Sequence, residues 1–474
     1  MRVIDAAAAG AGVPTRRLME QAGAAVADAI ASRYAPRPAA VLCGPGDNGG
    51  DGWVAARKLK QAGWPVWVET LAPIEALQGD AADAARDWDG DVYAVGADNP
   101  MAELFVDALF GAGLSRPLEG EAVRLAHALS GAPDRVVAVD VPSGLDGDSG
   151  EAVGEIAFRA KLTVTFVRKK PAHVLAPGRE FCGEVIVADI GAPEEVVRAQ
   201  EIALWENAPA LWRALFPRPD LQTHKHRRGH VMAATGGRAR TGAGRLAARA
   251  ALRAGAGLVT VLSPPDALDE NAAQLTAIMV REAGDAGALA EAAHQAQCMV
   301  LGPAFGASDA HYETLLGAVE ATERCPLVLD ADALTLMSPI THGLDPRDVL
   351  TPHHGEFRRA FPGIMSQSPS RIEAARTAAT YARCIVLLKG PDTVIAAPDG
   401  RAVVNTTGTP FLATAGSGDV LAGIIAGLIA QGMPSFEAAA AGAWLHGKCG
   451  EVLGAGLIAE DLSETLPHIL NELA

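Results

Sequence analysis

A strand, a glycine-rich turn, a helix and a second strand follow one another in the second half of the chain. Val231 to Thr235 is apolar and is interrupted by Gly236 and Gly237, and an Ala-, Leu- and Arg-rich segment then runs to about residue 254. A second apolar run covers Leu258 to Leu262. This order predicts a βαβ unit, which is the building block of parallel sheets. Open α/β sheets bind ligands beyond the carboxyl ends of their strands, so the glycine-rich turn marks a candidate site.

A second glycine-rich segment, residues 414–423, precedes an apolar helix predicted from Val420 to Ile429. Gly416 and Gly418 lack a Cβ, so their backbone can approach a ligand closely. The free N–H groups and the dipole of a helix N-terminus favour an anion there. Asp419 lies in the same turn, where its charge would repel a phosphate. We therefore interpret Asp419 as a base that deprotonates a hydroxyl attacking a phosphate. The alternative is a first-turn Asp that only complements the helix dipole.

In two further segments of this half, an apolar run ends at a residue that could contact a ligand. Residues 350–357 end a short apolar run and open a helix, with His353 at the junction. His353 is a candidate ligand contact, and the alternative is a helix cap. Lys389 and Gly390 end a predicted buried strand, and a Lys at that position suits contact with a nucleotide phosphate.

The first half contains its own set of polar strand ends. A short strand, Ala39 to Cys43, precedes residues 44–52, in which five glycines predict a loop that wraps a phosphate or nucleotide. Asn48, Asp107 and Ser143 each lie at or just beyond the end of a predicted strand. Oxygen ligands from separate strand ends suit a hard cation. The alternative is that these are ordinary turn and cap residues.

These motifs resemble two known families, joined in one chain. The segments around Gly242, 301–303, 351–356, Lys389 and 416–423 resemble ADP-dependent NAD(P)H-hydrate dehydratases of the ribokinase-like superfamily. The segments 48–52, 107–111 and 140–146 resemble NAD(P)H-hydrate epimerases. The resemblance implies an α/β protein of two domains. We expect a Rossmann-like three-layer parallel sheet in residues 1–215 and a ribokinase-like three-layer α/β domain in residues 216–474.

The resemblance also implies roles for individual residues. In the first domain, Asn48, Asp107 and Ser143 become ligands of K⁺, and Asp140 with Lys170 become candidates for acid–base chemistry. Asp140 could instead be a structural cap on the turn at Pro142. The dinucleotide hydrate would contact Asp47, Asn48, Gly49, Gly50, Asp51, Gly111, Ala112, Gly113, Leu114, Ser115, Arg116, Pro117 and Asp140.

In the second domain, the resemblance makes Asp419 the catalytic base and implies Mg²⁺ bound with ADP. The hydrate would contact Ala243, Gly306, His353 and Asp419. Gly306 follows a run that departs from the family pattern after Pro303. The nucleotide would contact Lys389, Gly390, Pro391, Asp392, Thr393 and Gly418.

Composition narrows the classes of partner. A net charge of −16 and a pI near 5.2 disfavour nucleic-acid binding, which requires a basic face. The longest apolar segment, Val420 to Met433, is too short to span a membrane. The six cysteines form no CxxC pair, and the charged N-terminus does not resemble a signal peptide. We expect a cytoplasmic enzyme that acts on NAD(P)H hydrates and ADP, binds neither nucleic acid nor membrane, and forms a homo-oligomer.

Two alternatives to the repair enzyme remain at this point. A small-molecule kinase of the same superfamily would share the loop before Asp419 and would release a phosphorylated substrate. The first domain could also bind a nucleotide without converting it, in which case the R hydrate would not be consumed.

Overall fold

The computed structural model describes residues 2–96, 99–341 and 343–473. The chain divides into two compact units, Met1–Ile202 and Ala203–Ala474. This division falls before the expected boundary at residue 215. A strand at Leu204–Glu206 pairs within the sheet of the second unit, and Trp212 is buried in that unit's core. Residues 203–215, expected in the first domain, therefore belong to the second.

The first unit contains one parallel sheet with the strand order β3-β2-β1-β4-β5-β6-β7. Every neighbouring pair in it is parallel. In chain order its strands are β1 (Ala39–Cys43), β2 (Val66–Thr70), β3 (Val92–Ala94), β4 (Leu104–Ala108), β5 (Val136–Val139), β6 (Leu162–Phe166) and β7 (Glu184–Ala188).

Both faces of this sheet are buried. In β1, Val41 and Cys43 pack into one hydrophobic cluster, whereas Ala40 and Leu42 pack into another. This alternation follows from the two-residue period of a strand and leaves the sheet between two layers. The expected Rossmann-like three-layer fold is confirmed. The helices are α1 (Arg2–Gly10), α2 (Thr15–Ala31), α3 (Asp47–Gln61), α4 (Gly79–Arg86), α5 (Glu121–Leu129), α6 (Gly178–Cys182) and α7 (Glu194–Arg198).

The second unit contains a larger sheet with the order β11-β10-β9-β12-β13-β14-β15-β16-β17-β8. Its pairs are parallel, except that β16 runs antiparallel to both β15 and β17. The strands are β8 (Leu204–Glu206), β9 (His230–Ala234), β10 (Leu258–Ser263), β11 (Met279–Glu282), β12 (Cys298–Leu301), β13 (Leu327–Leu329), β14 (Val349–Leu350), β15 (Ile385–Leu388), β16 (Thr393–Ala396) and β17 (Ala402–Asn405).

Helices cover both faces of this sheet as well. Val231 and Ala233 of β9 join one core cluster, and the alternate residues Met232 and Ala234 are buried on the opposite face. The helices are α8 (Pro209–Trp212), α9 (Gly242–Arg253), α10 (Leu268–Gln274), α11 (Ala286–Gln295), α12 (Asp309–Val319), α13 (Asp332–Leu336), α14 (His354–Ala360), α15 (Ile364–Gln367), α16 (Arg371–Ala382), α17 (Ser417–Ala430), α18 (Ser435–Leu453) and α19 (Ala459–Leu473).

Helix α17 packs closely against α9, and this contact positions the whole of α17. A Cβ on Gly423 would lie 2.1 Å from the carbonyl oxygen of Ala247, so only glycine permits this approach. The helix is apolar on all sides and is buried from Val420 to Ala430. Its N-terminal turn is therefore held rigidly at the end of the sheet.

The glycine-rich segment after β1 is helical, which corrects the expected loop over residues 44–52. Helix α3 begins at Asp47, and the N–H of Gly50 donates to the carbonyl of Gly46. A Cβ on Gly49 would lie 1.9 Å from the Gly44 oxygen. The glycines thus serve tight packing of the first turn against the strand end. Along the described ranges, no helix is both long and apolar enough to cross a bilayer.

Candidate active sites

Asp419 is the third residue of α17 and is partly buried. The helix is preceded by Gly416, whose φ of 87° lies in the left-handed region that glycine adopts readily. Among the described residues, no side chain caps this N-terminus. The N–H of Ser417 donates to the carbonyl of Thr414 at 3.4 Å, and the N–H groups of Gly418 and Asp419 lie in the same first turn, where a helix N-terminus favours an anion.

The charges around Asp419 come from residues that follow β13 and β15. The pKa of Asp419 is raised to about 6, chiefly by burial and also by the nearby carboxylates Asp330 and Asp332, while Lys389 opposes the shift. Lys389 Nζ lies 2.7 Å from Asp330 Oδ1. A Cβ on Gly418 would lie 3.3 Å from that same Nζ, so the ammonium is next to the helix N-terminus. The structure thus brings Asp419, Gly418 and Lys389 together.

His353 is the N-cap of α14. The structure therefore contains the helix-capping role that was the alternative to a ligand contact. Its Nδ1 accepts from the N–H of Gly355 at 2.9 Å, and Glu356 Oε2 accepts from the N–H of His353 at 2.8 Å. The imidazole is 57% exposed, so capping leaves much of the ring open to a ligand. Glu356 is buried and its Oε2 lies 4.0 Å from Lys389 Nζ. His353 therefore connects to the Asp419 group through Glu356 and Lys389.

The expected nucleotide residues form the turn between β15 and β16. The Asp392 side chain is buried, and its Oδ1 lies 3.3 Å from Nε of Arg371 in α16. Thr393 Oγ1 donates to the carbonyl oxygen of Gly390 at 2.9 Å. Asp392 and Thr393 therefore shape the turn, whereas Gly390 and Pro391 are exposed.

The remaining expected hydrate contacts lie on other elements of the second unit. Gly306 donates its N–H to Asp332 Oδ2 at 2.9 Å, which links it to a carboxylate that acts on Asp419. Ala243 is the second residue of α9 and is partly buried. A Cβ on Gly416 would lie 2.7 Å from Leu246, so the first turns of α9 and α17 are adjacent.

In the first unit, Asp140 and Lys170 form a buried ion pair. Lys170 Nζ lies 2.5 Å from Asp140 Oδ1, and the two side chains are 9% and 15% exposed, respectively. Thr165 Oγ1 donates to the same oxygen at 3.0 Å, and the N–H of Ala112 donates to Oδ2 at 3.1 Å. Burial alone would raise the pKa of Asp140, but Lys170 and these hydrogen bonds hold it below its ordinary value. Asp140 is therefore a carboxylate at neutral pH.

The expected K⁺ ligands surround a buried carboxylate. Asp107 accepts from Ser143 through both oxygens, from the hydroxyl at 2.6 Å and from the N–H at 2.8 Å. Burial raises the pKa of Asp107 to about 6, and no cationic side chain in the described ranges contributes to this shift. Nδ2 of Asn48 is buried without a hydrogen-bond partner among the described residues. A Cβ on Gly111 would lie 3.0 Å from both Asn48 Oδ1 and Asp140 Oδ2, so the presumed metal and acid–base groups are adjacent.

The other expected hydrate contacts in this unit fall into two segments. Asp47, Asn48, Gly49, Gly50 and Asp51 are in the first turns of α3. Burial raises the pKa of Asp51 well above its ordinary value, and Asp140 adds to the shift. The segment after β4 is a turn in which the exposed residues are Gly113, Ser115, Arg116 and Pro117, with Gly111, Ala112 and Leu114 partly buried.

Several residues of these sites were not predicted. Asp330 directly follows β13, the same strand-end position that identified Asp107 and Ser143, so this signal was available. Thr165 and His173 carry no such signal, because their contacts with Asp140 depend on the tertiary fold.

Comparisons with known families match each unit separately. The family described as NAD(P)H-hydrate dehydratase matches residues 231–471. The family described as YjeF-related protein N-terminus matches residues 15–172.

Individual relatives match nearly the whole chain. The bifunctional NAD(P)H-hydrate repair enzyme of Moorella thermoacetica is 37% identical and covers 97% of this chain and 93% of its own. The enzyme of the same name from Thermofilum pendens is 36% identical, with 98% and 93% covered.

Solved structures support the fold of the second unit. A ribokinase-like protein from Enterococcus faecalis has a TM-score of 0.53 and 26% identity, and covers 57% of this chain and 97% of its own. The ADP/ATP-dependent NAD(P)H-hydrate dehydratase of Bacillus subtilis, co-crystallised with ATP and Mg²⁺, has a TM-score of 0.51 and 28% identity over 57% and 99%. The expected ribokinase-like fold is confirmed. The chain belongs to the family of bifunctional NAD(P)H-hydrate repair enzymes.

Proposed function

We propose that Asp419 is the general base of the ADP-dependent dehydration of NAD(P)H hydrates, and that Asp140 with Lys170 carries the epimerisation of their R and S forms. Dehydration and epimerisation are the two activities of the family to which the chain belongs. The residue roles are supported by one observation above all. Asp419 lies at an uncapped helix N-terminus beside Lys389, in a polar cluster that suits phosphoryl transfer.

The dehydration begins at the hydroxyl on C6 of the hydrated nicotinamide ring. Hydroxide is a poor leaving group, and phosphorylation makes the oxygen a good one. Asp419 takes the hydroxyl proton as the oxygen attacks the terminal phosphorus of ADP, and the bond to the bridging oxygen breaks to release AMP. The ring nitrogen lone pair then expels phosphate from C6, and loss of a ring proton gives NAD(P)H.

Two features of the second unit stabilise the transferring phosphoryl group. The N–H groups of the first turn of α17 point toward an anion at the helix N-terminus. Lys389 supplies a positive charge next to Gly418. Because Asp330 Oδ1 lies 2.7 Å from Lys389 Nζ, the ammonium is held in position before the nucleotide binds.

Mg²⁺ enters this scheme with the nucleotide. Within the described ranges, no group of three or more His, Cys, Asp or Glu residues is arranged to hold a metal ion. Mg²⁺ commonly binds through substrate phosphates, so it would be carried on the phosphates of ADP and would neutralise part of their charge.

The epimerisation requires a proton to move near C6. Opening the ring breaks the C6–N1 bond while the hydroxyl loses its proton and the nitrogen gains one, and closure on the other face gives the second epimer. Asp140 has a pKa below its ordinary value, so it is ionised at neutral pH and has an oxygen free of a proton to accept one. Lys170, 2.5 Å away, supplies the positive charge that keeps it ionised.

The side-chain oxygens of Asn48, Asp107 and Ser143 suit K⁺ as ligands. They are amide, carboxylate and hydroxyl oxygens, the ligands that a hard cation prefers. Asp107 is buried, no cationic side chain among the described residues acts on it, and a bound cation would compensate its charge. When bound, K⁺ would supply a positive charge that attracts the phosphates or ribose of the hydrate.

The direct test follows absorbance at 340 nm with a mixture of R and S hydrates, Mg²⁺, K⁺ and ADP. Recovery of NAD(P)H from both epimers, faster than spontaneous epimerisation, is the expected result. Recovery of the S fraction alone would reduce the first unit to a binding module. A phosphorylated product without NAD(P)H would favour the kinase alternative, which the full-length relatives make the weaker one.

The dehydration rate should fall in acid with the ionisation of Asp419. A general base must be deprotonated, and the pKa of Asp419 is raised to about 6, chiefly by burial. We expect kcat/KM for the S hydrate to be constant above about pH 7 and to fall tenfold per pH unit well below 6. Initial rates between pH 4.5 and 8.5 check this. A profile that stays flat to pH 5 would exclude Asp419 as the base.

Replacing K⁺ with tetramethylammonium should lower the melting temperature of the first unit. A ligand that binds only the folded state stabilises by about 2.7 kcal/mol at a hundred times its Kd. We expect a shift of a few degrees by calorimetry. The Asp107→Asn variant should not respond to K⁺, whereas the exposed-site control Asp189→Asn should respond like the wild type. If K⁺ shifts the melting temperature of both variants equally, Asp107 is not a ligand of K⁺.

A further inference from the structure

His173 is a buried side chain of the first unit that bonds to the backbones of both Asp140 and Lys170. Its Nδ1 accepts from the N–H of Lys170 at 2.9 Å, and its Nε2 lies 2.9 Å from the carbonyl oxygen of Asp140. An amide N–H can only donate, so Nδ1 carries no proton. The proton is therefore on Nε2, which donates to the Asp140 carbonyl.

The Asp140 backbone is held in an unfavourable conformation. Its φ is 66°, in the left-handed region that is uncommon for residues other than glycine. Such a conformation persists only where surrounding contacts enforce it. The Asp140 N–H donates to the carbonyl of Val164 at 2.8 Å, and His173 holds the carbonyl on the other side. The two bonds together set the direction of the Asp140 side chain.

The Lys170 side chain is constrained from several directions. Its Nζ donates to Thr165 Oγ1 at 2.7 Å and to the carbonyl of Phe166 at 3.3 Å, besides its contact with Asp140. The backbone at Lys170 opens a short 3₁₀ turn, Pro171–His173, in which His173 is the residue that reaches back. His173 thus connects the two members of the ion pair through their main chains.

We propose that His173 is a positioning residue, whose neutral imidazole fixes the carboxylate of Asp140 relative to Lys170 for epimerisation. This inference rests on the proposed roles of Asp140 and Lys170. His173 is 5% exposed and both ring nitrogens are occupied, so it acts through these residues without contacting the hydrate. Burial and Lys170 lower the pKa of His173 to about 4, which agrees with a neutral ring throughout the working pH range.

Two conservative substitutions separate the two hydrogen bonds. The amide of His173→Gln can replace the Nε2 donor to the Asp140 carbonyl, and the oxygen of His173→Asn can replace the Nδ1 acceptor for the Lys170 N–H. His173→Ala removes both. If the Asp140 bond positions the carboxylate, kcat for epimerisation falls about 100-fold in the Ala and Asn variants, as for a misplaced catalytic group. The Gln variant should recover to within about tenfold of wild type, and KM should change little in all three.

The experiment uses the full chain without nucleotide, so that dehydration cannot occur. Purified R hydrate is incubated with each variant, and the appearance of the S hydrate is followed by chromatography. The control Thr163→Val loses a different buried bond of the same unit, to the carbonyl of Cys182 at 2.7 Å. It should keep the wild-type kcat. ADP-dependent dehydration of the S hydrate should be unchanged in every variant.

The outcomes distinguish this inference from the proposed function. If Asp140→Asn retains wild-type epimerisation, the roles given to the pair are wrong. If Asp140→Asn is inactive and His173→Ala keeps the wild-type kcat, only the positioning role is wrong. Equal rates in the Gln and Asn variants would also overturn it, and this comparison remains decisive where His173→Ala does not fold.

Discussion

Replacing Asp419 with asparagine is expected to lower kcat for ADP-dependent dehydration by about 10³-fold, within the range measured for general bases. The KM for ADP should change little, because the N–H groups of α17 and Lys389 remain in place. Epimerisation of R hydrate should keep its wild-type rate. The matched control is Asp309→Asn, an exposed first-turn carboxylate of α12, which should leave both rates unchanged.

The same substitution should not destabilise the second unit. The pKa of Asp419 is raised from 3.8 to about 6, with burial as the main cause, so its charged form opposes folding. The associated stability is complete below pH 4 and is lost as the pH rises through 6. Asparagine cannot ionise, so the variant should be more stable than wild type at pH 8, by on the order of 2 kcal/mol. Calorimetry at pH 8 measures this. A slow variant with a lower melting temperature would point to misfolding and would not support the base role.

Replacing Lys170 with methionine is expected to abolish epimerisation and to destabilise the first unit. The substitution leaves the Asp140 carboxylate buried without its cation, and breaking a buried pair in this way costs about 3–5 kcal/mol. The double variant Lys170→Met with Asp140→Asn removes both charges, so it should regain most of that stability while remaining inactive. Urea unfolding and the R-to-S assay measure the two quantities separately.

The pH dependence of this effect has a definite sign. Asp140 has a lowered pKa in the folded protein, despite burial, because of Lys170 and the hydrogen bonds it accepts. Its contribution to stability is therefore present at neutral pH and is lost as the pH falls through the folded value. The difference between wild type and Lys170→Met should be largest near pH 7 and should shrink below pH 4. The control Lys161→Met breaks an exposed pair with Asp134 at 3.2 Å and should cost less than about 1 kcal/mol. If Lys170→Met loses as little stability as this control, the buried ion pair of Lys170 and Asp140 does not stabilise the first unit as expected.

Local sequence predicted the helices and strands around the sites, but not the residues at which they begin and end. The segment 414–423 predicted a helix from Val420 to Ile429, whereas α17 already begins at Ser417, which places Asp419 in its first turn. Residues 44–52 predicted a loop, yet α3 begins at Asp47, since the glycines there permit tight packing against Gly44. Glycine is frequent both in ligand loops and in close helix contacts, so composition alone does not separate the two. The sequence places residues 203–215 in the first domain, whereas β8 pairs with β17 of the second unit, and a partner so distant in sequence leaves no local signal.

The sequence by itself determined the α/β class, the two-domain organisation and the family, because strand–glycine–helix motifs are local patterns. Only the tertiary structure decided the pKa values of the key carboxylates. Asp140 and Asp419 are the same residue type, each next to a glycine-rich segment. The pKa of Asp419 is raised by burial near Asp330, whereas that of Asp140 is lowered because Lys170 and hydrogen bonds outweigh burial. Burial and neighbouring charge depend on residues from distant parts of the chain, so the opposite directions of the two pKa shifts follow from the fold.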